Sequence, residues 1–412
     1  MKKIIFFLFF SLSYLYSQTW VTQTSPTTND LNSAWAVNDQ VAWMCGPNGT
    51  VIRTTNGGTT WTLANSGLTG NFYSICAIDA NRCFVGDETG VLWRTGNGGA
   101  TWTSVTLSPT NFINVIHFFD GNTGFLQGDP VGGFWIYYTT TDGGGTWTLG
   151  PNRPAATGSE AGWNNSYDAV DTGNIWWGTN VSKIWKGGFK GPYTSYATTG
   201  QPNSFGVAFV NASTGVACFQ TGTVRNSTNG GITWNAGTYT PPGIPFALKS
   251  LKNTSYVFMG TQTTILRSTN NGVSFTAQLT PGAAVYCLTF VNIGGNITGW
   301  AGLQGGGIRK YTEVTGIHPI NNEIPAEFRL EQNYPNPFNP STVVKYSVPV
   351  QSLVTLKVYN SMGQEIRTVL NDNHAPGNYQ ATIELDGYAS GVYYYTLQAG
   401  DFRETRKMIL IK

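Results

Sequence analysis

The chain has 412 residues, of which only 11% are charged, 14% are aromatic and 51 are glycine, and its formal net charge is +2. Charged residues usually make up about a quarter of a globular chain. Their low share here, together with the many aromatic residues and glycines, is typical of turn-rich β-structure. The near balance of charge and the scattered basic residues argue against nucleic-acid binding and against a membrane-surface patch. The length predicts a large repeat domain with an additional module.

The N-terminus has the pattern of a signal peptide. Lys2 and Lys3 precede an apolar run over residues 4–16, and Ser17 and Gln18 follow it. This run is too short to span a bilayer comfortably but fits the apolar region of a signal peptide. We expect residues 1–17 to be removed on export, and we expect no transmembrane segment in the mature chain.

An octapeptide recurs along the chain. Residues 54–61 read TTNGGTTW, and close copies return at intervals of roughly 41–45 residues, with one double interval. Asn and Gly suit a tight turn, and the final aromatic residue offers an apolar face to a neighbouring unit. The predicted structural turn residues are Asn56, Gly58, Trp61, Asn97, Gly99, Trp102, Asp142, Gly144, Trp147, Asn229, Gly231, Trp234, Asn270, Gly272 and Phe275.

Three short strand-like stretches precede each octapeptide, and this spacing is typical of β-propeller blades. We predict an all-β protein with a seven-bladed propeller over residues 18–314. The seventh unit ends before a fourth strand, whereas the segment around Trp20 matches the residues that follow the first two octapeptides. We therefore expect the N-terminal segment to supply the last strand of the last blade.

The octapeptides resemble Asp-box repeats, also known as bacterial neuraminidase repeats. The chain to about residue 314 is similar to secreted seven-bladed propellers related to photosystem II assembly factors. The family pattern has Asp where this chain has Asn56, Asn97, Asn229 and Asn270, and only Asp142 keeps the acid. The turns therefore cannot depend on a carboxylate or a metal, and we expect no cofactor. The motif predicts the fold and not an activity.

The composition changes after a polar stretch at residues 315–327, which we interpret as a linker. Residues 328–412 contain six strand-like runs separated by turns, a pattern that predicts a small Ig-like β-sandwich. The segments YPNPFNPST, VTLKVYNSMGQEIRTV and ASGVYYYTLQAGDF closely resemble the type A C-terminal sorting domain of type IX secretion. That resemblance implies passage through the periplasm, recognition by the outer-membrane translocon, removal by a sortase, and a final location at the cell surface or outside.

The five cysteines lie in apolar contexts, and we interpret them as buried small side chains. A disulfide between Cys76 and Cys83 across a hairpin is the alternative.

Carboxylates outside the repeated positions are the candidates for catalysis. Asp129 and Glu160 lie in Gly-rich segments of the third and fourth units, and a suitably spaced pair would serve glycoside hydrolysis. Solvated or turn-forming carboxylates are the plainer interpretation. Sialidase activity is disfavoured because the chain lacks an Arg-Ile-Pro or Arg-Leu-Pro tripeptide. A histidine-rich metal site is also not indicated, because the three histidines form no metal-binding motif.

Aromatic residues of the same irregular units are candidates for stacking against a sugar, although core packing is the alternative. They are Trp135, Trp163, Trp176 and Trp177. The favoured hypothesis is a non-catalytic propeller that binds a glycan or protein partner; the enzyme alternative is a glycoside hydrolase.

Overall fold

The computed structural model describes residues 19–293, 296–314, 318–321, 325–374 and 376–411. The predicted signal peptide lies outside the described residues. The chain divides into two compact units, one comprising Trp20–Val291 and Thr298–Tyr311, and the other including the chain from Thr312 onward. Apart from a short 3₁₀ turn at Gln304–Gly306, the regular structure of the described residues consists of β-strands.

Seven four-stranded sheets follow one another between residues 19 and 314 of the described chain, which confirms the predicted seven-bladed propeller. The first six are antiparallel meanders of consecutive strands. Blades 1–3 contain Ser33–Ala36, Ala42–Cys45, Val51–Thr54 and Thr62–Leu63; Phe72–Ala77, Cys83–Asp87, Leu92–Thr95 and Thr103–Val105; and Ile113–Phe118, Gly124–Val131, Phe134–Thr140 and Thr148–Leu149. Blades 4–6 contain Gly162–Asp171, Asn174–Thr179, Lys183–Gly187 and Tyr193–Ala197; Ser204–Phe209, Gly215–Phe219, Val224–Ser227 and Asn235–Ala236; and Pro245–Ser250, Val257–Thr261, Ile265–Ser268 and Thr276–Leu279.

The seventh sheet combines the two ends of the repeat region. Its strand order is Val285–Ile293, Asn296–Leu303, Ile308–Val314 and then the N-terminal strand Thr19–Gln23. An unpaired strand edge is a template for aggregation, and this pairing covers the edge of Ile308–Val314.

The first strand of each blade lies on the inside of the ring. First strands of neighbouring blades pack against each other, whereas fourth strands such as Thr62–Leu63 and Asn235–Ala236 are exposed. The first strands therefore line the central channel, and side chains at their beginnings lie at one mouth of that channel.

Side-chain hydrogen bonds hold the turn at residues 54–61. Asn56 Oδ1 accepts a hydrogen bond from the Thr60 backbone N–H at 3.0 Å, and Asn56 Nδ2 donates to the Thr60 hydroxyl at 3.0 Å. The Thr54 hydroxyl accepts from the Gly58 N–H at 2.8 Å. Gly57 and Gly58 have φ values of 67° and 83°, which lie in the left-handed region that favours glycine.

The same bonds recur in the other copies of the turn. Asn97, Asn229 and Asn270 each accept from the backbone N–H four residues later. At Asp142 the acceptor role is unchanged, but the Thr146 hydroxyl now donates to the carboxylate at 2.7 Å. An amide and a carboxylate are therefore interchangeable here because the hydroxyl reverses its direction of donation.

The aromatic residue that ends each turn packs between blades. Trp61 is 6% exposed and contacts the Trp300 ring edge-on, at 6.3 Å between centroids. Its Nε1 donates to Gln23 Oε1 at 2.8 Å, so the same side chain also contacts the N-terminal strand. Trp234 packs edge-on against Phe209 of its own blade, with centroids 5.8 Å apart, in a core that also contains Trp176 of blade 4. Truncation of such a buried aromatic side chain costs about 3–5 kcal/mol.

The C-terminal unit contains two four-stranded sheets around one apolar core, as the predicted β-sandwich requires. Its strands are His318–Asn321, Gly377–Glu384, Ser341–Val348 and Arg329–Leu330 in one sheet, and Glu365–His374, Ser352–Tyr359, Gly391–Ala399 and Phe402–Leu410 in the other. Alternate residues of Ser352–Tyr359 are buried, so one face of that strand packs on the core. The strand His318–Asn321 lies within the segment that we interpreted as a linker, which is therefore not linker throughout.

The cysteines are free and buried, so the alternative of a Cys76–Cys83 disulfide is wrong. Cys76 lies opposite Phe84 and Cys83 lies opposite Ala77, a register that is offset by one residue. Neighbouring positions on a strand point to opposite faces, and the two thiols accordingly lie in different core clusters.

Replacement of Asn56 by Ala tests the turn. It removes the acceptor for Thr60 N–H and the donor to the Thr60 hydroxyl, and we expect it to lower the free energy of unfolding by about 1 kcal/mol in urea titrations. The matched control is Asn56→Asp, which should retain wild-type stability because Asp142 forms the equivalent turn. Equal losses in both variants would contradict this account.

Candidate functional site

β-Bulges at the beginnings of the first strands redirect aromatic side chains at the channel mouth. In blade 2, Phe72 pairs with Asp87 and Ser74 pairs with Gly86, which leaves Tyr73 unpaired between them. Phe205 in blade 5 and Phe246 in blade 6 occupy the same extra position in their strands. A bulge re-aims the side chain that it carries. The repeated bulge therefore presents one ring from each of these blades at the mouth.

Blade 4 departs furthest from this geometry. Between the pairs Gly162–Thr179 and Tyr167–Trp177, its first strand carries extra residues, among them Trp163. The Trp163 ring contacts Phe205 edge-on, with centroids 4.6 Å apart. The insertion therefore adds the largest ring of the mouth.

The rings form a continuous arc over blades 4 to 7. Phe205 and Phe246 have centroids 6.1 Å apart, and Phe246 and Tyr286 have centroids 5.6 Å apart. Tyr73 packs instead against Phe112 of blade 3, at 5.0 Å. All of these side chains are partly exposed.

Polar side chains occupy the remaining side of the mouth, over blade 1. Asn32 donates from Nδ2 to the Phe72 carbonyl at 3.0 Å. Asp30 Oδ1 accepts from the Gly305 N–H at 2.8 Å, which fixes the orientation of the carboxylate. These two residues interrupt the aromatic arc.

Asn165 forms the floor beneath the rings. Its backbone φ is 59°, and its side chain reaches from blade 4 to blade 1, where Oδ1 accepts from Ser33 Oγ at 2.7 Å and Nδ2 donates to the Asn32 carbonyl at 2.9 Å. Asn tolerates this backbone conformation better than most residues. These hydrogen bonds therefore join blade 4 to blade 1 across the channel.

A cavity of about 350 Å³ lies above this floor. Small-molecule sites usually have volumes of about 300–1,000 Å³, so the cavity is large enough for a ligand. Its lining residues are Asp30, Asn32, Tyr73, Trp163, Asn164, Asn165, Phe205, Phe246 and Tyr286.

Below the floor lie the charged side chains of Asp168, Lys249 and Lys252. Asp168 forms an ion pair with Lys252 and accepts from the Phe209 N–H at 2.6 Å. The Lys249 ammonium lies over the Tyr167 ring, 4.8 Å from its centroid, and burial lowers its pKa while Asp168 opposes that shift.

Asp129 and Glu160, the candidate acids, both have structural partners. Asp129 Oδ1 accepts from Asn114 Nδ2 and from the Gly162 N–H, each at 2.8 Å, and burial raises its pKa. Glu160 is 5% exposed and pairs with Lys183 at 2.7 Å, while its second oxygen accepts from Trp185 Nε1. Neither carboxylate lines the channel-mouth cavity.

The four candidate tryptophans fall into two groups. Trp135 and Trp176 are fully buried and Trp177 is 1% exposed. Trp135 and Trp177 pack together, and Trp176 stacks on Phe209 at 3.7 Å. These three belong to cores between blades, in agreement with the core-packing alternative. Of the four candidate tryptophans, only Trp163 lines the cavity.

Sequence reasoning missed the rings that surround Trp163. Tyr73, Phe205, Phe246 and Tyr286 stand near the beginning of the first strand in four different units, in the segments NFYS, NSFG, IPFA and AVYC. An alignment of the units on these strands, instead of on the octapeptides, would have found this signal.

The C-terminal unit matches a known family in sequence, and the propeller matches solved structures in fold. Residues 332–412 match the family model for the secretion system C-terminal sorting domain. This sorting domain directs type IX secretion to the cell surface or outside. The sequence matches no curated protein. Among the described residues, no helix is long and apolar enough to be a membrane span.

The region before the sorting domain is similar in fold to solved propellers. YCF48 bound to D1 peptide has 16% identity and a TM-score of 0.57, and the match covers 73% of this chain and 98% of that one. YCF48 from Cyanidioschyzon merolae has 18% identity and a TM-score of 0.56, with coverage of 71% and 98%. The WD40 β-propeller domain of Doa1 has 13% identity and a TM-score of 0.53, with coverage of 71% and 95%. The predicted resemblance to photosystem II assembly factor-like propellers is thus confirmed as one of fold.

His117 provides a test of the enclosed channel. Trp35 and Phe119 pack against its ring, and burial, with a further contribution from Lys249 and Lys252, lowers its pKa to about 3 although Asp168 opposes the shift. The unfolded chain binds a proton near pH 6.5, so stability should be complete above that pH and should fall as the pH drops from about 6.5 towards 3.

When the pH is lowered from 6.5 to 5, we therefore expect the urea midpoint of the wild type to decrease by more than the urea midpoint of His117→Phe. The two proteins are compared at pH 8 as a control for packing. Parallel pH profiles would show that His117 is protonated in the folded protein.

Proposed function

We propose that this protein is a secreted binding module whose propeller binds a glycan or protein partner at or outside the cell surface without catalysing a reaction. Type IX secretion delivers the propeller, and the sorting domain contacts the translocon and is then removed by a sortase. The observation that carries the proposal is the channel-mouth cavity, which combines aromatic rings with a few polar groups. That composition is typical of ligand sites.

The charges in the channel favour binding over catalysis. Glycoside hydrolysis uses two carboxyl groups on either side of the scissile bond. Among the described residues that line the cavity, Asp30 is the one carboxylate. Outside the cavity, Asp129 accepts hydrogen bonds and Glu160 forms an ion pair with Lys183. The glycoside hydrolase alternative is therefore the weaker one.

The fold is compatible with a protein partner as well. YCF48, a propeller of similar fold, has been solved with a bound peptide, although the likeness at 16% identity extends to the fold alone. Both ligand classes therefore remain within the proposal.

The binding function predicts retention without hydrolysis. The chain from residue 18 to the C-terminus is incubated with a panel of insoluble polysaccharides, and retention and released reducing ends are assayed in the same samples. We expect retention on one glycan with no release. Release that disappears in Asp129→Asn or Glu160→Gln would make the protein a hydrolase and would refute the proposal.

The export route predicts that the C-terminal module is required for secretion. Deletion of residues 328–412 should trap the propeller in the periplasm, as measured by immunoblots of periplasm and medium. The control is the full chain expressed at the same level. A truncated protein that reaches the medium at normal yield would contradict the proposed route.

A further inference from the structure

We propose that the channel-mouth cavity is a carbohydrate-binding site in which sugar rings stack on the aromatic arc. This inference rests on the proposed binding function and deepens it, because it assigns the ligand class and the residues that bind it.

The arc consists of large apolar faces that the fold leaves partly exposed. Trp163, Phe205, Phe246 and Tyr286 follow one another around the mouth, with centroid distances of 4.6, 6.1 and 5.6 Å. Trp135, another aromatic residue of the propeller, is by contrast fully buried. A contiguous apolar surface of this kind marks a binding site, since water solvates it poorly. The C–H faces of a pyranose ring complement such a surface.

The β-bulges that orient these aromatic side chains towards the channel mouth are independent evidence for a binding site. Phe205 and Phe246 are the extra residues of β-bulges, and each bulge interrupts the pairing of its strand. Regular pairing would place successive side chains on alternate faces of the blade, towards the cores. Bulges that re-aim side chains are common next to functional sites. Their repetition at one level of the channel produces a single composite surface.

Polar groups next to the arc match the hydroxyl groups of a sugar. The Asn164 side chain has no hydrogen-bond partner among the described residues, and it provides both a donor and an acceptor. Asp30 is held by Gly305 through Oδ1, and its carboxylate provides further acceptor capacity. Both residues line the same cavity as the rings.

The charge and the strand geometry favour a neutral sugar over a peptide. Asp30 is the one charged side chain among the described residues of the lining, so the site offers no cation to an anionic ligand. A peptide that binds an exposed strand edge relies on main-chain pairing. Here the bulges disrupt the ladder at the level of the mouth. The volume of about 350 Å³ suits a short oligosaccharide or one segment of a polymer.

Calorimetric titration tests this inference. The chain from residue 18 onward is titrated with short neutral oligosaccharides of glucose, xylose, mannose and N-acetylglucosamine. We expect one class to bind, and we expect Phe205→Ala and Phe246→Ala each to weaken the affinity about tenfold, since such a change corresponds to the loss of a strong aromatic contact. Phe246→Tyr should retain binding because it keeps the ring.

The matched control is Phe134→Ala, which removes another exposed phenylalanine, 46% exposed, that does not line the cavity. It should leave the affinity unchanged. Circular dichroism and urea midpoints compare the folding of all four variants. If Phe205→Ala fails to fold, Phe246→Ala and Phe246→Tyr still provide the comparison.

The outcomes separate this inference from the proposed function. Oligosaccharide binding that is insensitive to both Ala variants would overturn the assigned site but leave the binding function intact. Failure of every oligosaccharide to bind would overturn the carbohydrate class, and the protein-partner arm of the proposed function would survive. Cleavage of a bound oligosaccharide would refute the non-catalytic function, while loss of binding in Phe246→Ala would still support the site.

Discussion

The packing of the aromatic residue that ends each octapeptide turn, in the core between neighbouring blades, is the interaction on which the rest of the structure depends. A four-stranded blade has two faces that need burial, and it finds apolar partners only in its neighbours. Trp61 and Trp234 illustrate the arrangement, since each ends a tight turn and packs into the core that its blade shares with another. The turn determines where the ring lies, and the ring fixes the spacing between blades.

Closure follows from the same requirement. Trp61 contacts Trp300 of the seventh blade and donates to Gln23 of the N-terminal strand, so one side chain joins the first blade, the last blade and the closing strand. Once the ring is closed, the first strands meet around the channel. The residues at their beginnings can then form one surface, although they are far apart in sequence.

Much of the fold could be predicted from the sequence because its signals are local. The octapeptide contains the turn, the glycines with positive φ and the packing aromatic within eight residues, so its repetition indicates the blades. In the C-terminal module, alternation along residues 352–359 indicates a strand with one buried face. The strand over residues 318–321 could not be predicted, because it pairs with residues about sixty positions later and has no pattern of its own.

The site was less predictable than the fold, for a physical reason. Trp176 and Trp163 both appear as aromatic residues in an irregular blade, but regular pairing places Trp176 in a core whereas an insertion places Trp163 at the mouth. Only the register distinguishes the two. Tyr73 and Phe246 are likewise ordinary strand residues until a bulge turns them into the channel. The secretion route was predictable because the sorting domain is encoded in a continuous segment.

Covalent footprinting is the measurement that shows whether the propeller binds a glycan at the channel mouth, as we propose. Hydroxyl radicals oxidise exposed aromatic side chains, and mass spectrometry locates the oxidised residues in the free protein and in the presence of the bound glycan. We expect the glycan to protect Trp163, Phe205, Phe246 and Tyr286 from oxidation and to leave the oxidation of Phe134 unchanged. Protection elsewhere on the propeller, with these four rings oxidised as in the free protein, would contradict it.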